Sequence, residues 1–429
     1  MRPREEQWQD IIARLYGVPM PITFTYQVTE GCTLACAYCY QHNKSPKRMT
    51  WDIAKRATDY ILSDKSDYIN TKKQGGLIVD FIGGEPLMEI ELIAEITAYL
   101  KKEMFQMGHP WYHFHRLSIC SNGTEYFNPR VQEYLKRYFS SVSFSISIDG
   151  NKRLHDACRV FPDGRPSYDI AIAGVEHYTK VLKGRMGSKM TLAPENIEYT
   201  FEAIKSMVEY PYKIIHLNCI YEAGWDLSHA RILWEQLNKV TDYLAETGQM
   251  DDVYLSIFEE HIGRPKQPGD DQNWCGGTGK MLAVDPDGDF FPCIRYMKTS
   301  LGGNQEPICI GNVFDGIGQT ERHCGWIDCL NCIDRRTQST DECYNCPIAD
   351  GCSWCSAYNY EVFGTPDKRA TYICPMHKAR VLANVRFWNL YYRKYSPDKV
   401  FVNHCPKEWA LEIITEDEWN ALERLQNAK

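Results

Sequence analysis

Cysteine is the residue type best placed to do chemistry in this chain. Of 429 residues, 18 are cysteine, and they are unevenly distributed. Cys32, Cys36 and Cys39 lie together in TEGCTLACAYCY, eleven more run from Cys275 to Cys374, and Cys120, Cys158, Cys219 and Cys405 are scattered. The opening MRPREEQWQDIIARLYG is charged and lacks the apolar core of a signal peptide, so a reducing, cytoplasmic setting is expected, in which structural disulfides are a poor explanation. Clustered thiols there indicate metal or redox chemistry. Three thiolates with gaps of three and two residues can fold round one 4Fe–4S cube and leave an iron without a protein ligand, open to a second reactant. A partial zinc site is the alternative, with His42 the nearby candidate for a fourth ligand.

Other segments carry groups suited to a small polar ligand. In Asp80-Phe81-Ile82-Gly83-Gly84-Glu85-Pro86, paired glycines let backbone approach a ligand and a carboxylate can accept from an ammonium group. Ser121-Asn122-Gly123-Thr124, Ser145-Ile146-Ser147-Ile148-Asp149-Gly150 and Arg159 follow. Each has a plainer reading, as a strand-to-helix turn or as a group satisfying a loop. Farther on, Cys275 is followed by twelve residues, Gly288, four residues and Cys293; Cys343, Cys346, Cys352, Cys355 and Cys374 come later. Bare CxxC pairs favour a zinc ribbon. Cys329-Leu330-Asn331-Cys332 can ligate a metal, serve as a redox dithiol or be buried. Cys120 and Cys219 fall in strand candidates and read as core.

The elements that must position these groups are legible. Apolar, β-branched runs predict strands at 22–28, 77–82, 116–120, 142–148, 189–193 and 213–221. Helical stretches lie between them: after the N-cap candidate Thr50, from Pro86, and over 128–138, 168–183 and 195–209. Alternation of this kind predicts a parallel α/β architecture, closed into a barrel or left as a doubly wound sheet. In either, sites collect at the C-terminal strand ends, which is where the first cysteine loop falls. Another helix is expected over 229–247. Past about 270 the strands shorten, Gly and Cys become dense, Asp-Pro-Asp-Gly at 285–288 signals a hairpin, and a last aromatic-rich helix spans 375–395. A net charge of −8 gives no reason to expect a nucleic-acid partner, and no apolar run approaches the roughly 18 residues of a membrane span.

CxxxCxxC after the first strand, with an aromatic before the third cysteine and GGEP after the second strand, resembles the radical S-adenosylmethionine (SAM) enzymes. The resemblance covers 22–225 and implies a partial (β/α)6 TIM-like barrel. It implies that Cys32, Cys36 and Cys39 hold a cluster whose open iron chelates SAM, the source of a 5′-deoxyadenosyl radical. It further implies cofactor-binding roles for Gly83, Gly84 and Glu85 near the methionyl amine, for Ser121 and Asn122, for Ser147 and Asp149 near the ribose or carboxylate, for Arg159 at the carboxylate, and for Tyr38 against adenine. The later cysteines resemble the SPASM extension of radical SAM peptide-modifying enzymes, with one departure: two residues, not three, separate Cys352 from Cys355. This implies two auxiliary 4Fe–4S clusters, one on Cys343, Cys346, Cys352 and Cys374, the other on Cys275, Cys293 and Cys355, its fourth position open or closed by Cys309, Cys324, Cys329 or Cys332.

The expected organisation is an N-terminal helix (1–21), a radical SAM partial barrel (22–228), a helical bridge (229–270), a SPASM domain (271–385) and a C-terminal helix and tail (386–429). The expected function is a peptide maturase installing Cys-derived thioether crosslinks in a ribosomally made precursor peptide. Carbon–carbon or carbon–oxygen crosslinking is the runner-up, followed by sulfatase-type Cys/Ser oxidation, which is disfavoured because Ile294 and Arg295 rather than an Asp follow Cys293. A zinc-ribbon binding protein is the non-enzyme alternative. Asp80, Glu222, Arg295 and Tyr296 are the catalytic candidates. A flavodoxin or ferredoxin is the expected electron donor. About 20 residues precede the first strand, too few for a leader-gripping domain, so a separate leader-recognition protein is a further expected partner.

Overall fold

Short runs of β-branched and aromatic residues, each followed by an amphipathic helix, set the architecture. The computed structural model describes residues 21–63, 68, 75–210, 212, 214–267, 269–271 and 275–427; the helix expected over 1–21 lies almost wholly outside them. Strands β1 (Ile22–Gln27), β2 (Leu77–Ile82), β3 (His115–Ser121) and β4 (Val142–Ile146) are parallel neighbours. Helices α1 (Trp51–Leu62), α2 (Ile90–Gln106) and α3 (Pro129–Arg137) connect them. Thr50 caps α1 by accepting from the Ile53 N–H, and a short 3-10 turn over Pro86–Glu89 leads into α2. After α4 (Lys152–Cys158) and α5 (Tyr168–Glu176) come β5 (Gly187–Leu192), α6 (Thr200–Glu209) and β6 (Ile214–Cys219), with β5 and β6 again parallel.

The six expected strands thus form the partial barrel. Where β4 meets β5, a side chain stitches the two sheets: the Ser188 hydroxyl lies 3.3 Å from the carbonyls of Ile146 and Ile148 and accepts from the Ile148 N–H at 3.2 Å. A two-residue strand, β7 (Tyr254–Leu255), extends β6 and is too short to leave a pattern in the sequence.

The Cys-rich region is joined to the barrel by backbone pairing. β8 (Met281–Val284) runs parallel to β1, and β9 (Asp289–Phe291), β10 (Gly311–Asn312) and β11 (Gly316–Ile317) continue the sheet in the order β11-β10-β9-β8-β1-β2-β3-β4. Leu282, Ala283 and Val284 are fully buried, as a strand covered on both faces requires. The expected hairpin joins β8 to β9: the Asp285 carboxylate accepts from the N–H groups of Asp287 and Asp289 at 2.9 and 3.0 Å, and Gly288 takes φ +86°.

Helices α7 (Leu227–Glu246), α8 (Glu321–Asn331), α9 (Ser356–Phe363), α10 (Cys374–Tyr395) and α11 (Glu416–Asn427) complete the chain. α10 packs along α7 and runs unbroken across 385 and 386, so the division expected there cuts a continuous helix. The stacked rings of Phe258 and Phe387, 4.3 Å apart, pin it down.

Candidate cysteine-cluster and cofactor site

The loops after β1, β2, β3 and β4 meet at one mouth of the barrel, and hydrogen bonds tie them together. Asn122 donates from Nδ2 to the Thr33 hydroxyl at 2.9 Å and toward Cys32 Sγ at 3.7 Å. The Leu34 N–H also points at Cys32 Sγ, 3.4 Å away. Glu85 is buried under this mouth. Its Oε1 accepts from the Ser121 hydroxyl at 2.7 Å and the Leu87 N–H at 3.1 Å, and its Oε2 accepts from the Asn122 N–H at 2.7 Å. Burial raises its carboxyl to about 7 in spite of those donors. Glu85 therefore locks β2 to β3, and its carboxylate is already engaged by the protein.

Gly83 and Gly84 differ from expectation in the same way. A Cβ on Gly84 would meet the Gly31 carbonyl oxygen at 2.3 Å and Cys32 Cβ at 2.6 Å; one on Gly83 would meet the Thr29 carbonyl oxygen at 2.6 Å. The glycines admit the chain's own cysteine loop, which the Glu85 N–H also holds through the Gly31 carbonyl at 2.9 Å.

On the other side of the mouth, Arg159 Nε donates to Asp149 Oδ2 at 2.7 Å, with Asp149 almost fully buried. The Tyr38 hydroxyl donates to the same oxygen, and the Arg159 guanidinium lies 5.4 Å over the Tyr38 ring. Asp149 Oδ1 accepts from the Thr191 N–H at 3.3 Å, reaching β5. Ser147 lies 3.5 Å from Cys120 Sγ. Tyr38, Asp149 and Arg159 are thus one cluster beside Cys36, whose thiol is pushed up by burial and pulled down by Arg159, while Ser147 stands apart by Cys120. Lys44 sits by all three thiols of the loop, with Cys39 as its main partner.

The interior below the mouth is polar. Thr25, Asp80, Ser118 and Ser143 stand in register across β1 to β4. Asp80, raised by burial and lowered by Ser118, faces Lys189 of β5. Lys189 keeps accessible surface while protein surrounds its ammonium, as in a wet interior. It lines a cavity of about 320 Å³ with His216, Asn218, Tyr221 and Ser353. Arg295 pairs with Glu222 and lies 4.8 Å over the Tyr40 ring. With His42 these two line a second cavity of about 210 Å³. Tyr296, by contrast, is fully buried with Ser356 among the thiols of Cys293, Cys275 and Cys355, so its place is in the support of that group.

Sequence reasoning missed Lys189, Lys44 and Arg369. Lys189 left a weak signal, a lysine opening an apolar strand. Lys44 is five residues past Cys39. Arg369 left none.

The later cysteines form two groups. Cys343, Cys346, Cys352 and Cys374 interact with one another, and burial raises Cys374 to about 12. Cys275, Cys293 and Cys355 form the other, where Cys275 Sγ lies 3.3 Å from the Ser356 hydroxyl. The four leftover thiols have other neighbours. Cys309 donates to the Gly311 carbonyl at 3.2 Å and Cys324 to the Gly318 carbonyl at 3.1 Å; Cys329 faces Asp367 and Cys332. Cys120 faces Lys189 and Ser147 rather than apolar core; Cys219 borders the larger cavity.

Among the described residues, no three Cys, His, Asp or Glu side chains close round a single ion. Ligands of one zinc crowd within bonding distance of a common point, whereas ligands of a four-iron cube stand apart around it. N–H groups aimed at Cys32 Sγ and cations beside each thiol group suit bound thiolates, so the residues present fit iron–sulfur clusters.

A family model for the radical SAM superfamily matches residues 26–207. The chain is similar to the mycofactocin maturase MftC of Mycolicibacterium smegmatis, 24% identical over 349 residues and covering 78% of each chain. Among solved structures, anSMEcpe with bound AdoMet and Kp18Cys peptide aligns with a TM-score of 0.64 at 17% identity, over 87% of this chain and 99% of that one. SuiB of Streptococcus suis bound to precursor peptide SuiA aligns at 0.56 with 15% identity, over 85% and 79%. No helix among the described residues is long and apolar enough to cross a membrane. Thiol loop, barrel and family match agree on a radical SAM domain over residues 26–207, followed by a Cys-rich C-terminal region consistent with the SPASM type, and together they support a radical SAM enzyme.

Proposed function

We propose that the protein is a peptide maturase that forms Cys-derived thioether crosslinks in a ribosomally made precursor peptide. The observation that carries this reading is the link between two three-thiol groups across the barrel interior. Arg295 spans it: its guanidinium lies over Tyr40, next to Cys39, and interacts with Cys355 of the second group. The relatives support the substrate class, one being a maturase and two being structures with bound peptides.

Cys32, Cys36 and Cys39 would hold the SAM-binding cluster; Cys343, Cys346, Cys352 and Cys374, and separately Cys275, Cys293 and Cys355, would hold the auxiliary clusters. With SAM bound, the first cluster supplies on reduction a 5′-deoxyadenosyl radical that removes hydrogen from the substrate. The chain's own residues bind and orient. Ser147 and the Tyr38–Asp149–Arg159 cluster form the polar wall for SAM, which Ser121, Asn122 and Glu85 hold rigid from behind. Lys189, Asn218 and Asp80 offer a cation, an amide and a carboxyl to the peptide inside the barrel, while Glu222 fixes Arg295 at the cavity edge. A flavodoxin or ferredoxin would deliver electrons, and a separate protein would present the leader. Ile294 and Arg295 follow Cys293, where sulfatase-type oxidation would call for an Asp base, which favours crosslinking.

The test is anaerobic turnover of a short synthetic precursor peptide with repeated cysteines. Each bridge joins sulfur to carbon and removes one S–H and one C–H hydrogen. The peptide mass therefore falls by two hydrogens per bridge, and its titratable thiols disappear in step. Intact thiols after SAM has been consumed overturn the thioether reading.

A further inference from the structure

Each thiol group in this protein has a cation of its own. Lys44 stands by Cys39, Cys32 and Cys36. Arg295 divides itself between Cys355 and the carboxylate of Glu222. Arg369 is different, because the leading charges it faces are thiols: Cys352, Cys343 and Cys374. Its Nη1 donates toward Cys343 Sγ at 3.6 Å, and its Nη2 donates to the Cys352 carbonyl at 3.4 Å. Carboxylates do line the cavity beside it, namely Asp270 and Asp350. Lys266 takes both, at 3.4 and 3.2 Å.

A half-buried guanidinium needs an anion, since a charge withdrawn from water without a partner is costly. Four protonated thiols offer Arg369 only weak acceptors. Four thiolates on a four-iron core form a net anion, and reduction adds one more negative charge beside the same guanidinium. Attraction to Arg369 therefore grows on reduction, which favours the reduced state; nearby charge and hydrogen bonds to the sulfurs are the levers that set such potentials.

We propose that Arg369 is the counter-cation of the cluster held by Cys343, Cys346, Cys352 and Cys374, and that it raises that cluster's reduction potential, making it the readier electron acceptor. This rests on the cluster assignment above. Arg369 is a positioning residue: it acts through the cluster's sulfurs and does not touch substrate.

The experiment is an anaerobic redox titration of the reconstituted full chain followed by electron paramagnetic resonance, with iron counted for each protein. Wild type, Arg369→Met, Arg369→Lys and Cys346→Ser are compared. Cys346→Ser identifies which signal belongs to this group. Arg369→Met is expected to lower the potential of that signal by at least a tenfold shift in its reduction equilibrium, 59 mV for one electron, leaving the other two in place. Arg369→Lys should recover most of the shift. If Arg369→Met loses this cluster's iron and Arg369→Lys keeps it, the requirement for charge stands. Equal potentials in wild type and Arg369→Met, or loss of the cluster in both Arg369 variants, overturn the proposal. Wild-type protein that loses no signal on Cys346→Ser overturns the cluster assignment itself, and this inference with it.

Discussion

The barrel mouth and the segment from 321 to 374 both gather thiols, but by different physical means. At the mouth, four apolar strands fix the loop ends, and Glu85, Ser121, Asn122 and the Asp149–Arg159 pair join them without help from sulfur. The first part of the later segment, 321–352, has little apolar cohesion, with Leu330, Ile333 and Ile348 its buried hydrophobics; α9, which buries Ala357 and Tyr360, follows it. α8 buries a single side chain, Leu330, and the short helix over Asp341–Tyr344 buries none. A stretch this poor in core cannot meet the entropy of ordering its backbone from packing alone. On the proposed cluster assignment, its thiol group supplies the difference through metal binding, which then counts as folding free energy. One region would be a scaffold that accepts a cluster; the other would be organised by one.

The sharpest way to break this contrast is to remove one ligand from each side. Cys36→Ser is expected to reduce SAM cleavage to the level of iron-stripped protein while moving the thermal midpoint by less than about 3 °C. Cys346→Ser is expected to cost at least about 3 kcal/mol and to abolish hydrogen-exchange protection between 321 and 352 with the barrel still protected. Similar losses of protection in both variants would erase the distinction.

The mouth should instead fail through its buried ion pair. Arg159→Met leaves the Asp149 carboxylate, almost wholly buried, without its partner, at an expected cost of about 3–5 kcal/mol. Adding Asp149→Asn should recover part of that loss. Urea unfolding measures both, and a double variant no better than the single one would deny the pair its structural role.

The smallest effect belongs to the hairpin linking the two regions. Burial holds the Asp285 carboxyl at about 7. A folded value raised above the unfolded one stabilises the fold at low pH, and that stabilisation is lost as pH climbs to 7. Asp285→Asn keeps an oxygen for the turn and removes the charge. The variant should be more stable than wild type by roughly 1–2 kcal/mol at pH 8, after allowance for solvent screening. The gap should close toward pH 4, and a gap independent of pH would contradict this account.

Most of the barrel was legible because its strands are local runs of apolar, β-branched residues; the span Leu77–Ile82 is recovered without change. The grouping of the later thiols came from the resemblance to the SPASM pattern, since bare CxxC pairs favour a zinc ribbon, and even Cys355, at a departing interval, joins Cys275 and Cys293. Partners distant in sequence were not. Nothing near Arg369 in the chain announces that it will face Cys343, and nothing near Lys189 announces Asp80. Gly83 and Gly84 were read as points where backbone approaches a ligand; the chain segment that packs against them is Thr29–Cys32. Tyr296 was a catalytic candidate alongside Arg295; the 3-10 turn over Ile294–Tyr296 sends Arg295 to the cavity edge and Tyr296 into the core.

The parallel pairing of β8 with β1, from Thr23↔Met281 to Tyr26↔Val284, has a consequence for dissection. Deleting everything after residue 270 would strip β1 of that neighbour and leave a row of amide and carbonyl groups seeking another strand. Such a fragment should precipitate or cross-pair, so the barrel and the Cys-rich region are best studied uncut.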